Sequence, residues 1–343
     1  MYRIDNPTAS TTLQTPAPPG TPGYWTGGDP ASGESATIVD ADWLNALQEE
    51  ISYAIEQAGI VLSKTDRTQL AQALRRMTRI RLTAPLDLYC SPTGSDSNSG
   101  LSAGAALRNP QAAYNLLMNY YDTGGQPVTV HLADGAYSNL VAQGRPPGLA
   151  GSISFVGGTA GSPTSPSAAV INGTNRPAVS ASFGAALQLV NFRITATGTG
   201  SDYVPEGDGI VAVNGASLGF NNLDFGPCDG GHMRASSGYI SSGGQPYRIS
   251  GGAAAHFYCG GGGIITTADT HVTLTNNPAF SSGFALFQMV GLGSMWNMVF
   301  TGAATGPRYN LASGSIVNLS GASPTTYFPG SVAGTVTTAA QFV

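Results

Sequence analysis

Apolar positions follow one rule in the first eighty residues and another in the rest of the chain. In ATIVDADWLNALQEEI, which begins at Ala36, Trp43, Leu44, Leu47, Ile51 and Ile55 recur every three or four residues. That spacing places them on one face of an α-helix. Asp40 stands where an N-cap is needed, and Gly59 where the helix has to stop. A second stripe of Leu70, Ala73, Leu74 and Met77 predicts another helix, capped by Ser63 or Thr65. Arg75, Arg76 and Arg79 lie near its C-terminal end, where cations complement the helix dipole. Burying the two stripes against each other would give only a small hairpin core, so they are expected to pack against neighbouring copies or a partner.

From Pro85 onward the period changes. LDLYC reads as a strand, SPTGSDSNSG as a turn-rich loop, and NPQAAYNLLMNYY as a short helix with Ala112, Leu116 and Leu117 on one side. No further helix is predicted. Short apolar or alternating runs return between Gly- and Asn-rich breaks, among them PVTVHLA, SISFVGG, ALQLVNFRITA, GIVAVNG and HVTLTNN. Ile194, Phe225, Ile249, Leu274, Phe300 and Leu319 close comparable runs at intervals of roughly 19 to 31 residues. Coils of that length fit a parallel β-solenoid, in which each coil passes its backbone hydrogen bonds to the next. The helix near 109–121 would cover the first coil, since an open sheet edge invites aggregation. A β-sandwich is the competing all-β architecture.

Residues 1–33 fit neither rule. Pro7, Pro16, Pro18, Pro19, Pro22 and Pro30 forbid a helix and favour an extended arm. Tyr24 and Trp25 are the aromatic anchors such an arm would offer to another chain. Only 10% of the 343 residues are charged, against roughly 25% in ordinary soluble domains. The 47 glycines and 22 prolines agree with many turns. A net charge of −5 argues against nucleic-acid binding, and no apolar run is long enough for a membrane-spanning helix. The start MYRIDNPTAS lacks the basic and apolar regions of a signal peptide, so synthesis and folding in the cytosol are expected. Three widely spaced cysteines, Cys90, Cys228 and Cys259, suit buried free thiols better than disulfides.

GYWTGGDPASGESATIVDADWLNALQEEI followed by AGIVLSKTDRTQLAQAL resembles the N-terminal region of bacteriophage and prophage tail fibre and tailspike proteins, over residues 23 to 75. LYCSPTGSDSNSGLSAGAALRNPQAAYNLL is similar to the entry into right-handed β-helix domains of the pectin-lyase-like type. The C-terminal TGAATGPRYNLASGSIVNLSGASPTTYFPGSVAGT resembles a segment that closes many phage β-helix fibres. The resemblance implies a mainly β protein, a right-handed parallel β-helix with a small N-terminal helical adaptor and an extended arm. The arm would span 1–33, the helical segment 34–82, and the β-helix 85–343, closed near 300–343. It implies a homotrimer in the virion tail. The N-terminal region would bind tail or baseplate proteins, and the β-helix would touch a bacterial surface glycan or receptor.

Spikes of this type are often glycan depolymerases that use paired carboxylates, and glycoside hydrolysis needs two within roughly 5 to 10 Å. The densest acidic cluster is SDYVPEGDG, with Asp202, Glu206 and Asp208 beside Tyr203, a candidate sugar-stacking ring; Asp224 is the next candidate. Asp and Gly are also ordinary turn formers, and a solvated loop between coils is the expected account of the cluster. In PCDGGHMR, Cys228, Asp229 and His232 are metal-ligand types, and His256 falls about one coil later. Their spacing matches no zinc pattern, so a stacked histidine ladder is expected in place of a metal site. The DSNSG stretch at Asp96 lacks the closing acid of a calcium loop, and no nucleophile elbow is present. No cofactor is implied. A binding protein is expected over an enzyme. A polysaccharide hydrolase or lyase, and a tail connector carrying a separate receptor-binding protein, remain the alternatives.

Overall fold

A computed structural model of the chain describes residues 2–158, 168–198 and 206–343, apart from the side chains of Arg75 and Arg76. It divides into two compact units, Met1–Ile80 and Arg81–Val343.

In the first unit, helix α1 spans Ala41–Gln57, and the Asp40 carboxylate accepts the Trp43 N–H at 2.8 Å as its N-cap. Gly59, with φ +71°, lets the chain leave the helix through the left-handed region. Helix α2 spans Gln69–Met77. Neither Ser63 nor Thr65 caps it, contrary to expectation. The turn before α2 is built instead on Asp66, whose Oδ1 accepts the N–H and hydroxyl of Thr68 while Oδ2 accepts from Gln72. Ser52, Ile55 and Ala73 are fully buried within this unit. The proline-rich arm runs back antiparallel along α1. Arg3 pairs with Glu49 and Glu56, Ile4 N–H reaches Gln48, Ala17 N–H reaches Asp42, and Trp25 meets the Trp43 ring edge-on at 5.2 Å.

The second unit is a parallel β-solenoid with three faces. Face A has ten strands, from Leu86–Cys90 to Gln341–Phe342; face B has seven, from Gly135–Ser138 to Val299–Thr301; face C has eight, from Leu140–Gln143 to Thr335–Val336. Alternation within each strand sends every second residue inward, and the register stacks like on like. On face A, Val128, Ile153, Leu187, Leu218, Ile240 and Ile265 form one buried column. On face B, Ile194, Phe225, Ile249 and Leu274 stack rung on rung, as their sequence spacing predicts. Phe300 departs from that reading, because it pairs with Val272, and Leu319 follows a face A strand. The coils vary in length: Ser217 pairs with Tyr239 after 22 residues and Val272 with Phe300 after 28, so no fixed spacing keeps the inward register.

Between faces A and B the chain turns through left-handed asparagines, Asn191 (φ +61°) and Asn222 (φ +49°). Asn191 Nδ2 donates to Gly157 C=O at 2.6 Å, and Asn222 Nδ2 donates to Asn191 Oδ1 at 2.8 Å. The short amide side chain tolerates this conformation and ties each corner to the one below.

Near each end of the solenoid a side chain takes up backbone groups as a strand would. Helix α3, Pro110–Tyr120, buries Ala113, Tyr114 and Leu117 against the first coil. Gln111 accepts the Val141 N–H at 2.7 Å and donates to the Val141 C=O at 3.0 Å, while Tyr114 donates to Gly144 C=O at 2.7 Å. At the other end a helical turn, Pro324–Tyr327, appears where no helix was expected. The Tyr327 hydroxyl takes the Met298 N–H at 2.8 Å and donates to Met295 C=O. Cys90, Cys228 and Cys259 are free and buried, and no described helix is long and apolar enough to cross a membrane.

Candidate functional site

The two described members of the acidic cluster, Glu206 and Asp208, do not form a solvated group of carboxylates. Glu206 and Asp208 occupy the turn entering the face C strand Ile210–Val213, and this turn stacks on the next coil's turn, where Gly230 N–H donates to Gly207 C=O at 2.9 Å. Asp208 is fully buried; its carboxylate is ion-paired with Arg234 and accepts the Gly231 N–H. Burial pushes the Asp208 carboxyl up, against the opposing pull of Arg234 and the Gly231 N–H. Arg234 in turn lies 3.8 Å over the Tyr258 ring. Glu206 is half-buried. Asp202 and Tyr203 lie outside the described residues.

Asp224 belongs to a different face. It points outward from face B between Arg193 and Arg248, which pair with it from the two adjacent strands. Sequence reasoning missed these arginines. A signal was available: Arg193, Asp224 and Arg248 each immediately precede Ile194, Phe225 and Ile249, the residues whose spacing sets the coil. An inward column on face B therefore implies an outward column of opposite charges beside it.

His232 and His256 do stack, in the solenoid core. Their Nδ1 atoms are 3.0 Å apart, His232 Nε2 lies 3.0 Å from Gly226 C=O, and His256 Nε2 lies 2.8 Å from the Tyr247 hydroxyl. Phe225, Phe257, Phe280 and Phe284 surround the pair. Burial lowers His232 to about 4 and carries His256 well below the usual imidazole range, so both rings are neutral. Cys228 is buried, with its thiol pushed up by burial, whereas Asp229 is exposed and accepts the Gly198 N–H at 2.9 Å. Among the described residues, no three His, Cys, Asp or Glu side chains come together as a metal-binding group. Asp96 instead closes its own loop, accepting the N–H groups of Arg108 and Asn109.

The N-terminal unit places the residues expected to meet a partner very differently from one another. Tyr24 is 99% exposed and Trp25, Trp43 and Leu47 are about half exposed, while Ile51 is half-buried and Ile55 fully buried in the unit itself. Leu44, Leu74 and Met77 extend the exposed apolar surface. Of 29 large hydrophobic residues exposed among the described residues, 16 lie before residue 81, so this unit buries far less of its apolar surface than the solenoid does.

Fold and surface together define a parallel β-solenoid protein with a helical N-terminal unit rich in exposed apolar residues. The chain is similar to the uncharacterized protein StfP of Escherichia coli strain K12, with 35% identity over 109 residues. That stretch covers 31% of this chain and 50% of the relative, so the match spans about half of the relative's length. No family model and no solved structure matches the chain.

Proposed function

We propose that the chain is a homotrimeric tail fibre or tailspike protein of phage or prophage origin, which attaches to the virion through its N-terminal unit and contacts the host cell surface through the solenoid. The observation that carries this reading is the half-exposed stripe of Trp43, Leu44 and Leu47 on α1, together with the exposed Leu74 and Met77 of α2. A monomeric protein seldom leaves such a surface open, and sister copies would cover it. The sequence resemblance over residues 23 to 75 supports the same assignment. The similarity to StfP adds kinship with a protein whose own role is not described.

Contact with the host would be adhesion to a surface glycan or receptor. Asp208 and Asp224 are each engaged by arginine, a state that suits structural or positioning roles better than proton transfer. The test is to pre-incubate host cells with purified protein and measure particle adsorption. Blocked adsorption with intact surface polysaccharide supports the adhesin. Shortened chains, abolished by Glu206→Gln, would establish a depolymerase instead. Normal adsorption of particles lacking the protein would point to a connector.

A further inference from the structure

The column Arg193, Asp224, Arg248 holds two guanidinium groups and one carboxylate on consecutive strands of face B. Arg248 saturates the carboxylate, with Nη2 2.9 Å from Oδ2 and Nε 3.2 Å from Oδ1. Arg193 is held differently. Its Nε stands 3.7 Å from Asp224, close enough for attraction but without a hydrogen bond, and that Nε is buried with no partner. The Arg193 side chain is nevertheless 32% exposed. A Cβ at Gly226 would fall 2.7 Å from Arg193 Nε and 3.0 Å from Nη2, so the glycine leaves room for the guanidinium against the sheet.

The surroundings decide what such a cation would meet. Thr195 and Asn172 stand outward beside Arg193, joined by a hydrogen bond, and Thr273 and Thr301 continue the Asp224 column on the far side. Successive coils repeat at about 4.8 Å, so the face offers hydroxyl and amide groups at sugar-scale spacing with one surplus positive charge among them. Residues 81–343 contain eight arginines, no lysine and ten acidic residues, a balance that disfavours polyphosphates. A hydroxyl-rich ligand with occasional carboxylates fits.

We propose that Arg193, positioned by Asp224, is a subsite for a carboxylate group of an acidic polysaccharide. This rests on the adhesin reading and names its ligand class. A guanidinium with unused N–H groups binds a carboxylate through charge-assisted hydrogen bonds.

The full-length protein would be titrated calorimetrically with oligosaccharides containing uronic or sialic acid, each alongside its carboxyl-reduced counterpart. At least one acidic oligosaccharide is expected to bind, with carboxyl reduction or Arg193→Gln weakening it about tenfold or more and Arg193→Lys restoring part of the loss. Unchanged thermal unfolding of Arg193→Gln would show that the effect is local. Failure of every acidic oligosaccharide to bind, equal binding of the reduced forms, or wild-type affinity in Arg193→Gln would overturn the subsite. Cell adsorption separates the two levels: if wild-type and Arg193→Gln protein block it equally, the subsite is wrong and the adhesin stands, whereas a wild-type protein that never touches cells removes both.

Discussion

The histidine pair shows how much a single buried network fixes. Gly226 C=O can only accept, so His232 carries its proton on Nε2 and leaves Nδ1 bare; His256 must then donate from Nδ1, and its bare Nε2 accepts the Tyr247 hydroxyl. Every polar atom in this aromatic core is satisfied in one direction only, and a proton added to either ring would break the chain. About a unit or more above pH 6.5 the rings are neutral in both folded and unfolded states and pH has almost no effect through them. Below it the unfolded chain takes up protons that the folded chain refuses, until His232 titrates near 4. Stability should therefore fall by about 1.4 kcal/mol per pH unit through His232, or about 2 kcal/mol at about pH 5, with His256 acting in the same direction. Reversible urea unfolding at about pH 7.5 and about pH 5 checks this, and an unchanged midpoint would exclude the neutral pair. Tyr247→Phe removes only the terminal donor and strands the buried His256 Nε2, for an expected loss of about 1 to 3 kcal/mol at neutral pH.

At the scale of elements, the same accounting of polar groups explains the caps. Strand Leu140–Gln143 begins face C and has no earlier strand to pair with, so the Gln111 side chain supplies one donor and one acceptor to Val141. Gln111→Ala is expected to cost about 1 to 2 kcal/mol, measured as a lowered unfolding midpoint, and to promote concentration-dependent association through the uncovered edge. Helix α1, its Asp40 cap and the α3 cap were legible in the sequence because periodicity and capping chemistry are local. So was the inward column from Ile194 to Leu274, since identical inward positions must recur once per coil. The cap of α2 was not, because Asp66 competes with Ser63 and Thr65 through side-chain bonds whose geometry the sequence does not order. The outward arginines were missed for a related reason. Isolated charges in a low-charge chain look like loop residues until the register puts Asp224 between two of them.

At the scale of the whole molecule, the two units solve burial in opposite ways. The solenoid hides its apolar columns within the chain, with α3 packed on the first coil and Tyr327 bonded to the turn before the last face B strand. The N-terminal unit hides Ile55 and Ala73 but leaves Trp43, Leu44, Leu47, Leu74 and Met77 at the surface, where the proposed trimer would find its drive for assembly. Sedimentation of the full chain should give three times the 34.9 kDa chain mass. Replacing Leu44 and Leu47 together by Ser removes apolar area from the half-exposed part of the α1 stripe and leaves the buried Ile55 in place. That variant should keep the wild-type far-ultraviolet spectrum and solenoid unfolding midpoint while dissociating at concentrations about a hundredfold higher than wild type, equivalent to about 5.5 kcal/mol of lost association free energy per trimer, since the midpoint of a trimer scales with the square root of its dissociation constant. A fragment of residues 81–343 provides the complementary measurement, because it lacks the stripe altogether. If the fragment remains folded and sediments below the trimer, the N-terminal unit drives assembly. If the Ser variant and the fragment both stay trimeric, the solenoid carries the interface, and the exposed face of α1 is left for the virion.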